Sequence, residues 1–159
     1  MNVIFNWLQA GPYLYSHNNY KNILIYSNIA FIIIALLVIK YKKNYSEHNI
    51  KYTLSLLFLI IMGFISAKYH QCQCHDSHTE FKKWIQIDIL FSILLGFTFL
   101  IFYFKNINSQ IILLFAITII LWLYKPDVKN NKSRNIYIIT HSLWHILSSV
   151  MFFLLIIRD

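Results

Sequence analysis

The sequence is poor in charge, and in acidic charge above all. Charged residues make up 13% of the 159 residues, and only 6 of them are Asp or Glu. A soluble globular domain is about one quarter charged and about half apolar, whereas this chain is 58% hydrophobic. No linker, repeat or low-complexity run divides it. The composition excludes an ordinary soluble domain and predicts a single membrane domain over residues 1–159.

Cysteine is also scarce, and both cysteines lie in one short segment. Cys72 and Cys74 are separated by one residue, so a disulfide between them would be strained. Together with the nearby histidines they resemble a small metal-binding tract, but their spacing fits no structural zinc pattern. We favour an ordinary interfacial pair over a second metal site. Residues 1–10 lack a basic start and a long apolar core, so we expect no secretory signal.

The net charge of +8 raises the question of nucleic-acid binding. The basic residues, however, lie beside apolar segments, where cations anchor helices to lipid headgroups. No basic face interleaved with aromatic residues is present. We therefore expect membrane lipids as partners and no nucleic acid. The basic residues in question are Lys40, Lys42, Lys43, Lys82, Lys83, Lys129, Lys132 and Arg134.

Five apolar segments approach the length that crosses a bilayer, which is about 20 residues. Because unpaired strands cannot cross lipid, these segments predict helices. We expect an all-α, polytopic transmembrane bundle, integral and multi-pass, with the two termini on opposite faces. Residues 1–22 contain Gly11–Pro12 and predict an interfacial lead-in. The predicted spans are 23–39, 52–70, 84–104, about 107–124, and 136–157.

Polar side chains interrupt three of these segments. His141 and His145 are four residues apart, as are Ser66 and His70, so each pair shares one helix face. Asp88 lies about one turn inside the third span. An ionisable residue inside a span costs about 2.5–3.5 kcal/mol and by default has a function. With five spans all three clusters fall on one side of the membrane, which predicts a shared metal site.

Each cluster taken alone is also compatible with a simpler role. A histidine pair at this spacing binds zinc, ligates haem or bonds to a neighbouring helix. The small residues near Ser66, such as Ser55 and Gly63, simply permit close helix packing. A lone carboxylate such as Asp88 caps a helix or pairs with its dipole. Convergence of all three clusters is what favours a common site.

In this order, the motifs resemble the CREST superfamily of membrane hydrolases. That superfamily includes alkaline ceramidases, progestin and adipoQ receptors, GPI-processing proteins and myomaker-type proteins. Ser66-Ala67-Lys68-Tyr69-His70 and His141-Ser142-Leu143-Trp144-His145 look closest to the myomaker-like branch. The resemblance covers about residues 50–157. The superfamily has seven spans rather than five, and residues 1–46 lack the acidic cluster of the ceramidases.

The resemblance implies a zinc site and a reaction. His70, His141 and His145 would be the Zn²⁺ ligands, with water at the fourth position. Asp88 would orient that water and move its proton, and Ser66 would support the water or the oxyanion. The implied function is a zinc-dependent hydrolase of a lipid amide or ester. With fewer helices the lipid pocket would be more open, unless the chain forms a homo-oligomer.

Three other functions stay open at this point. The chain could be a non-enzymatic, myomaker-like membrane-remodelling or fusion protein with a structural zinc. It could be a haem-binding electron carrier, or a structural membrane protein whose polar groups are satisfied by packing.

A single zinc site predicts definite geometry. The nitrogens of His70, His141 and His145 should lie within about 3–4 Å of one another, because each bond to zinc is about 2.0–2.1 Å long. Asp88 should stand beside the open coordination position, and Ser66 should face the same cavity. The remaining histidines should lie outside it; these are His17, His48, His75 and His78.

Overall fold

A computed structural model describes residues 21–41, 50–74, 78–124 and 131–158. These residues contain helices and turns but no strand, so the predicted all-α bundle is confirmed for them. The predicted lead-in falls almost wholly outside the described residues. The helices are α1 (Lys21–Tyr26), α2 (Ile29–Tyr41), α3 (Ile50–Gln73), α4 (His78–Tyr103), α5 (Ser109–Leu123) and α6 (Asn131–Ile157), with a 3₁₀ turn at Phe104–Asn106.

Four helical stretches of the described chain are long and apolar enough to cross a membrane. They coincide with the first, second, third and fifth predicted spans. As predicted, the second continues through His70, and it ends at Gln73. Each is longer than predicted because its ends extend into polar sequence. The stretches are Asn22–Tyr41, Ile50–Gln73, Glu80–Asn106 and Asn131–Ile157.

The fourth predicted span forms the shorter helix α5. Its 15 residues, at about 1.5 Å each, extend about 22 Å, which is less than the hydrocarbon thickness of about 30 Å. The polar residues at its start have a structural purpose. The Asn108 side chain accepts a hydrogen bond of 3.0 Å from the backbone N–H of Ile111 and so caps the helix.

The helices pack side by side around one core. Helix α3 packs against α4, and α5 packs against α6. Helices α1 and α2 contact both α3 and α6, which places the end of α3 near the first half of α6. The outward faces carry exposed apolar side chains, among them Leu36, Phe64, Phe97, Ile101 and Leu113. The core includes Phe31, Ala35, Val38, Leu59, Met62, Leu95, Phe99, Tyr103, Phe152 and Ile156.

Gly63 permits the close approach of α3 to the first span. A Cβ atom at this position would lie 2.9 Å from Cγ1 of Ile32 and 3.1 Å from the backbone oxygen of Asn28. The suggestion that small residues here allow close packing is therefore confirmed for Gly63.

We predict that Gly63→Ala destabilises the protein by about 1–3 kcal/mol, because the extra methyl overpacks this contact. Gly96→Ala is the matched control: its Cβ would meet nothing within 4 Å, and alanine favours a helix by up to about 1 kcal/mol. Thermal unfolding of both variants in the same detergent measures the difference. Equal stability of the two would contradict the tight contact.

Candidate metal centre

Three histidines from two helices meet in the interior. His70 lies near the end of α3, and His141 and His145 lie one turn apart in α6. The ring centroid of His70 is 5.0 Å from those of His141 and His145, which are 4.8 Å from each other. His70 and His145 are fully buried, and His141 is half-buried. The predicted convergence is therefore found.

The spacing of their nitrogens is suited to a metal ion. Nε2 of His70 lies 3.3 Å from Nε2 of His145. Two ligands about 2.05 Å from a tetrahedral zinc would lie about 3.3–3.4 Å apart. One nitrogen of each of the three rings falls within 4.8 Å of the others. The three nitrogens are thus spread more widely than the predicted 3–4 Å, although the His70–His145 pair lies at the expected distance.

The proton of His70 is fixed by a buried amide. Nδ1 of His70 lies 2.8 Å from Oε1 of Gln73, which can only accept a hydrogen bond. The Gln73 amide nitrogen donates to the hydroxyl of Tyr137 at 3.1 Å. Nδ1 of His70 therefore carries the proton, and its Nε2 presents a lone pair.

The proton of His145 is fixed in the same way by a hydroxyl. Ser27 Oγ lies 2.8 Å from the backbone oxygen of Leu24 and 2.8 Å from Nδ1 of His145. Two oxygens at that distance need a proton between them, and Ser27 has only one to donate. It donates to Leu24, so Nδ1–H of His145 donates to Ser27. Nε2 of His145 is then also a lone pair.

Two lone pairs consequently face each other at the centre of the cluster. With both protons on Nδ1, no hydrogen bond joins the two Nε2 atoms 3.3 Å apart. A cation between them would turn this repulsion into two bonds. Neutral imidazole suits zinc and several other transition metals, and hydrogen bonds from Nδ1–H are the usual support of such ligands. The donor set fits a metal ion.

Ser66 and Asp88 lie in the same buried region. Ser66 is one turn before His70 and fully buried, and Asp88 in α4 is 8% exposed. The hydroxyl and the carboxyl are neighbours. Yet Ser66 Oγ and Asp88 Oδ1 make no well-formed hydrogen bond to any described residue. The location of Asp88 beside the open coordination position stays a prediction.

The cysteines and the other histidines are the remaining predicted features. Cys72 and Cys74 form no disulfide and are buried, and Cys74 packs against Leu24, Tyr137 and Ile138. They are thus more buried than the interfacial pair that the sequence suggested. The other histidines were predicted to lie outside the site. His17, His48 and His75 fall outside the described residues, and the side chain of His78 is not described.

Sequence reasoning missed three residues that support the imidazoles. Gln73 follows His70 by three residues, and Tyr137 precedes His141 by four, so helical spacing could have identified both. Ser27 had a weaker signal: it begins a Ser-Asn pair inside an apolar span. Its pairing with His145 depends on how α1 and α6 pack.

Comparisons with protein-family profiles, with curated proteins and with solved structures find no match to this chain. The resemblance to the CREST superfamily stays a prediction based on its motifs.

We predict that Tyr137→Phe costs about 1–3 kcal/mol of stability, because it removes the hydroxyl that accepts a buried hydrogen bond from the Gln73 amide nitrogen. Tyr124→Phe is the control, since this tyrosine is 47% exposed and should lose almost nothing. Unfolding of both variants in detergent gives the comparison. A Tyr137 variant as stable as its control would mean that the amide finds another partner.

Proposed function

We propose that this chain is a multi-pass integral membrane hydrolase that binds one Zn²⁺ through His70, His141 and His145 and cleaves a lipid amide or ester. The observation that carries the proposal is the 3.3 Å separation of the Nε2 atoms of His70 and His145, two fully buried imidazoles whose Nδ1 atoms each contact another residue at 2.8 Å. Three protein ligands with a fourth position left for water or substrate are typical of catalytic zinc.

When bound, zinc would supply a Lewis acid toward the substrate carbonyl and toward water. The chain's own residues would handle the protons. Asp88 would accept a proton at Oδ1, which has no partner among the described residues, and return it to the leaving amine or alcohol. The hydroxyl of Ser66 would donate to the developing oxyanion. Both groups are buried, which keeps them dry and fixed in direction.

A neighbouring cavity supports a lipid as substrate. A space of about 480 Å³ lies among α4, α5 and α6, with walls that include Ser92, Phe99, Trp144 and Phe152. This volume is typical of small-molecule sites. Trp144 lines this cavity, and its ring lies 5.2 Å from that of His141 and 5.0 Å from that of His145 between centroids. An apolar chain in the cavity would thus lie beside the proposed metal centre, about one tryptophan ring away.

The alternatives account for fewer of these features. A haem needs a flat space between its axial ligands, whereas these three rings crowd to centroid distances of 4.8–5.0 Å. A fusion or remodelling protein would need the metal only to join α3 to α6. It would have no use for the buried hydroxyl of Ser66 and the buried carboxyl of Asp88.

We predict about one zinc per chain in purified protein, and loss of that zinc in the double variant His141→Ala, His145→Ala. The matched control is Leu143→Ala with Ile146→Ala, two exposed positions of the same helix, which should retain the metal. Elemental analysis after removal of loose metal measures all three proteins. Wild type without zinc, or a histidine variant with undiminished zinc, would overturn the metal centre.

A further prediction separates catalysis from a structural metal. Asp88→Asn should keep zinc and fold but lower hydrolysis by about 10²–10⁴-fold, the usual contribution of acid–base catalysis. Suitable probes are an N-acyl amide and an acyl ester with the same long acyl chain. The control is Glu80→Gln, which changes an exposed carboxylate of the same helix. Full activity in the Asp88 variant would remove this residue from the reaction, and no hydrolysis of either probe by wild type would favour the structural role.

A further inference from the structure

The first span is interrupted at the depth of the metal centre. Helix α1 ends at Tyr26 and α2 begins at Ile29, with Ser27 and Asn28 between them. At the break the hydrogen bonds tighten, since the N–H groups of Ala30 and Phe31 reach carbonyls three residues back, at 3.2 Å each. In lipid, freed backbone groups must find partners inside the protein.

Side chains at the break provide those partners. The Asn28 amide donates to the backbone oxygens of Leu24 and Ile25, at 3.1 and 3.2 Å. Ser27 also donates to Leu24. The Asn28 backbone oxygen rests against the face of α3 that Gly63 leaves bare. Contacts with α1 and with α3 therefore hold the break in place. They also keep Ser27 Oγ 2.8 Å from Nδ1 of His145.

We infer that Ser27 is a positioning residue of the metal centre: by accepting the Nδ1 proton of His145, it directs the Nε2 lone pair of that ring toward the metal. This inference rests on the proposed metal centre. It assigns the first span, which lies outside the recognised motifs, a part in completing the site.

The geometry also shows which tautomer of His145 the contact with Ser27 disfavours. If His145 carried its proton on Nε2, that N–H would point at the Nε2 lone pair of His70, only 3.3 Å away. The two imidazoles would then hydrogen-bond to each other, and each would lose the lone pair that a metal needs. Removing the Ser27 hydroxyl removes the acceptor that the Nδ1 proton of His145 has in this structure, so the pairing of the two imidazoles becomes the favoured arrangement.

The test is Ser27→Ala, examined in two ways. In metal-free protein labelled with ¹⁵N-histidine, NMR should show the His145 proton on Nδ1 in the wild type and on Nε2 in the variant. Zinc affinity, measured by competition with a chelator, should fall about 10- to 100-fold, as for other residues that orient metal ligands. Ser27→Thr keeps the hydroxyl and should restore both properties.

Ser55→Ala is the matched control. Its hydroxyl is buried and has the same kind of contacts, 2.8 Å to the backbone oxygen of Lys51 and 2.9 Å to the Tyr103 hydroxyl, but no contact with the histidines. It should leave the tautomer and the zinc affinity unchanged. If threonine fails to restore what alanine removes, or if alanine changes neither property, the role of Ser27 is overturned while the metal centre stands.

Wild-type protein that binds no zinc would instead overturn the proposed function. The NMR experiment determines the tautomer of His145 in metal-free protein. It would therefore still test the role of Ser27 if the protein bound no zinc. A wild-type ring protonated on Nε2 would overturn that role.

Discussion

The structure depends on the meeting of two neutral imidazoles in a place without water. His70 and His145 have no exposed surface, and each directs Nε2 at the other because a neighbour holds its Nδ1 proton. In a low-dielectric interior an unpaired polar group is costly. In the proposed metal centre a cation would join the two lone pairs. The contacts of Gln73 and Ser27 hold the two rings in this arrangement.

The supporting residues come from three separate parts of the fold. Gln73 lies on the same helix as His70, and Tyr137 joins it from α6. Ser27 comes from the first span and reaches His145 across the bundle. The orientation of the His70 ring therefore depends partly on its own helix, whereas that of the His145 ring depends on tertiary packing. The proposed metal centre thus needs the first span as well, although its ligands would occupy only α3 and α6.

This division accounts for what the sequence could predict. Long apolar segments in a charge-poor chain indicate helices, because backbone groups in lipid must be satisfied within the segment. Four-residue spacing placed Ser66 with His70, and His141 with His145, on shared faces, and alternation of the spans brought those faces together. Ring separations and proton positions could not be predicted, since they depend on contacts such as Ser27–His145 between residues 118 apart. Hydropathy begins the fourth span slightly too early, at about residue 107, because it does not register that Asn108 caps the helix.

The strongest argument for chemistry, as opposed to a metal staple, concerns two neighbouring polar groups that a staple does not need. Ser66 and Asp88 are both buried, and burying a hydroxyl and a carboxyl costs free energy even where they meet each other. A staple needs only its ligands and the groups that orient them, and apolar residues at positions 66 and 88 would hold α3 against α4 at lower cost. The cost is understandable if water and a substrate carbonyl occupy the space that these atoms face. In the proposed enzyme these two groups would act on water and substrate, whereas a purely structural site would give them no such task.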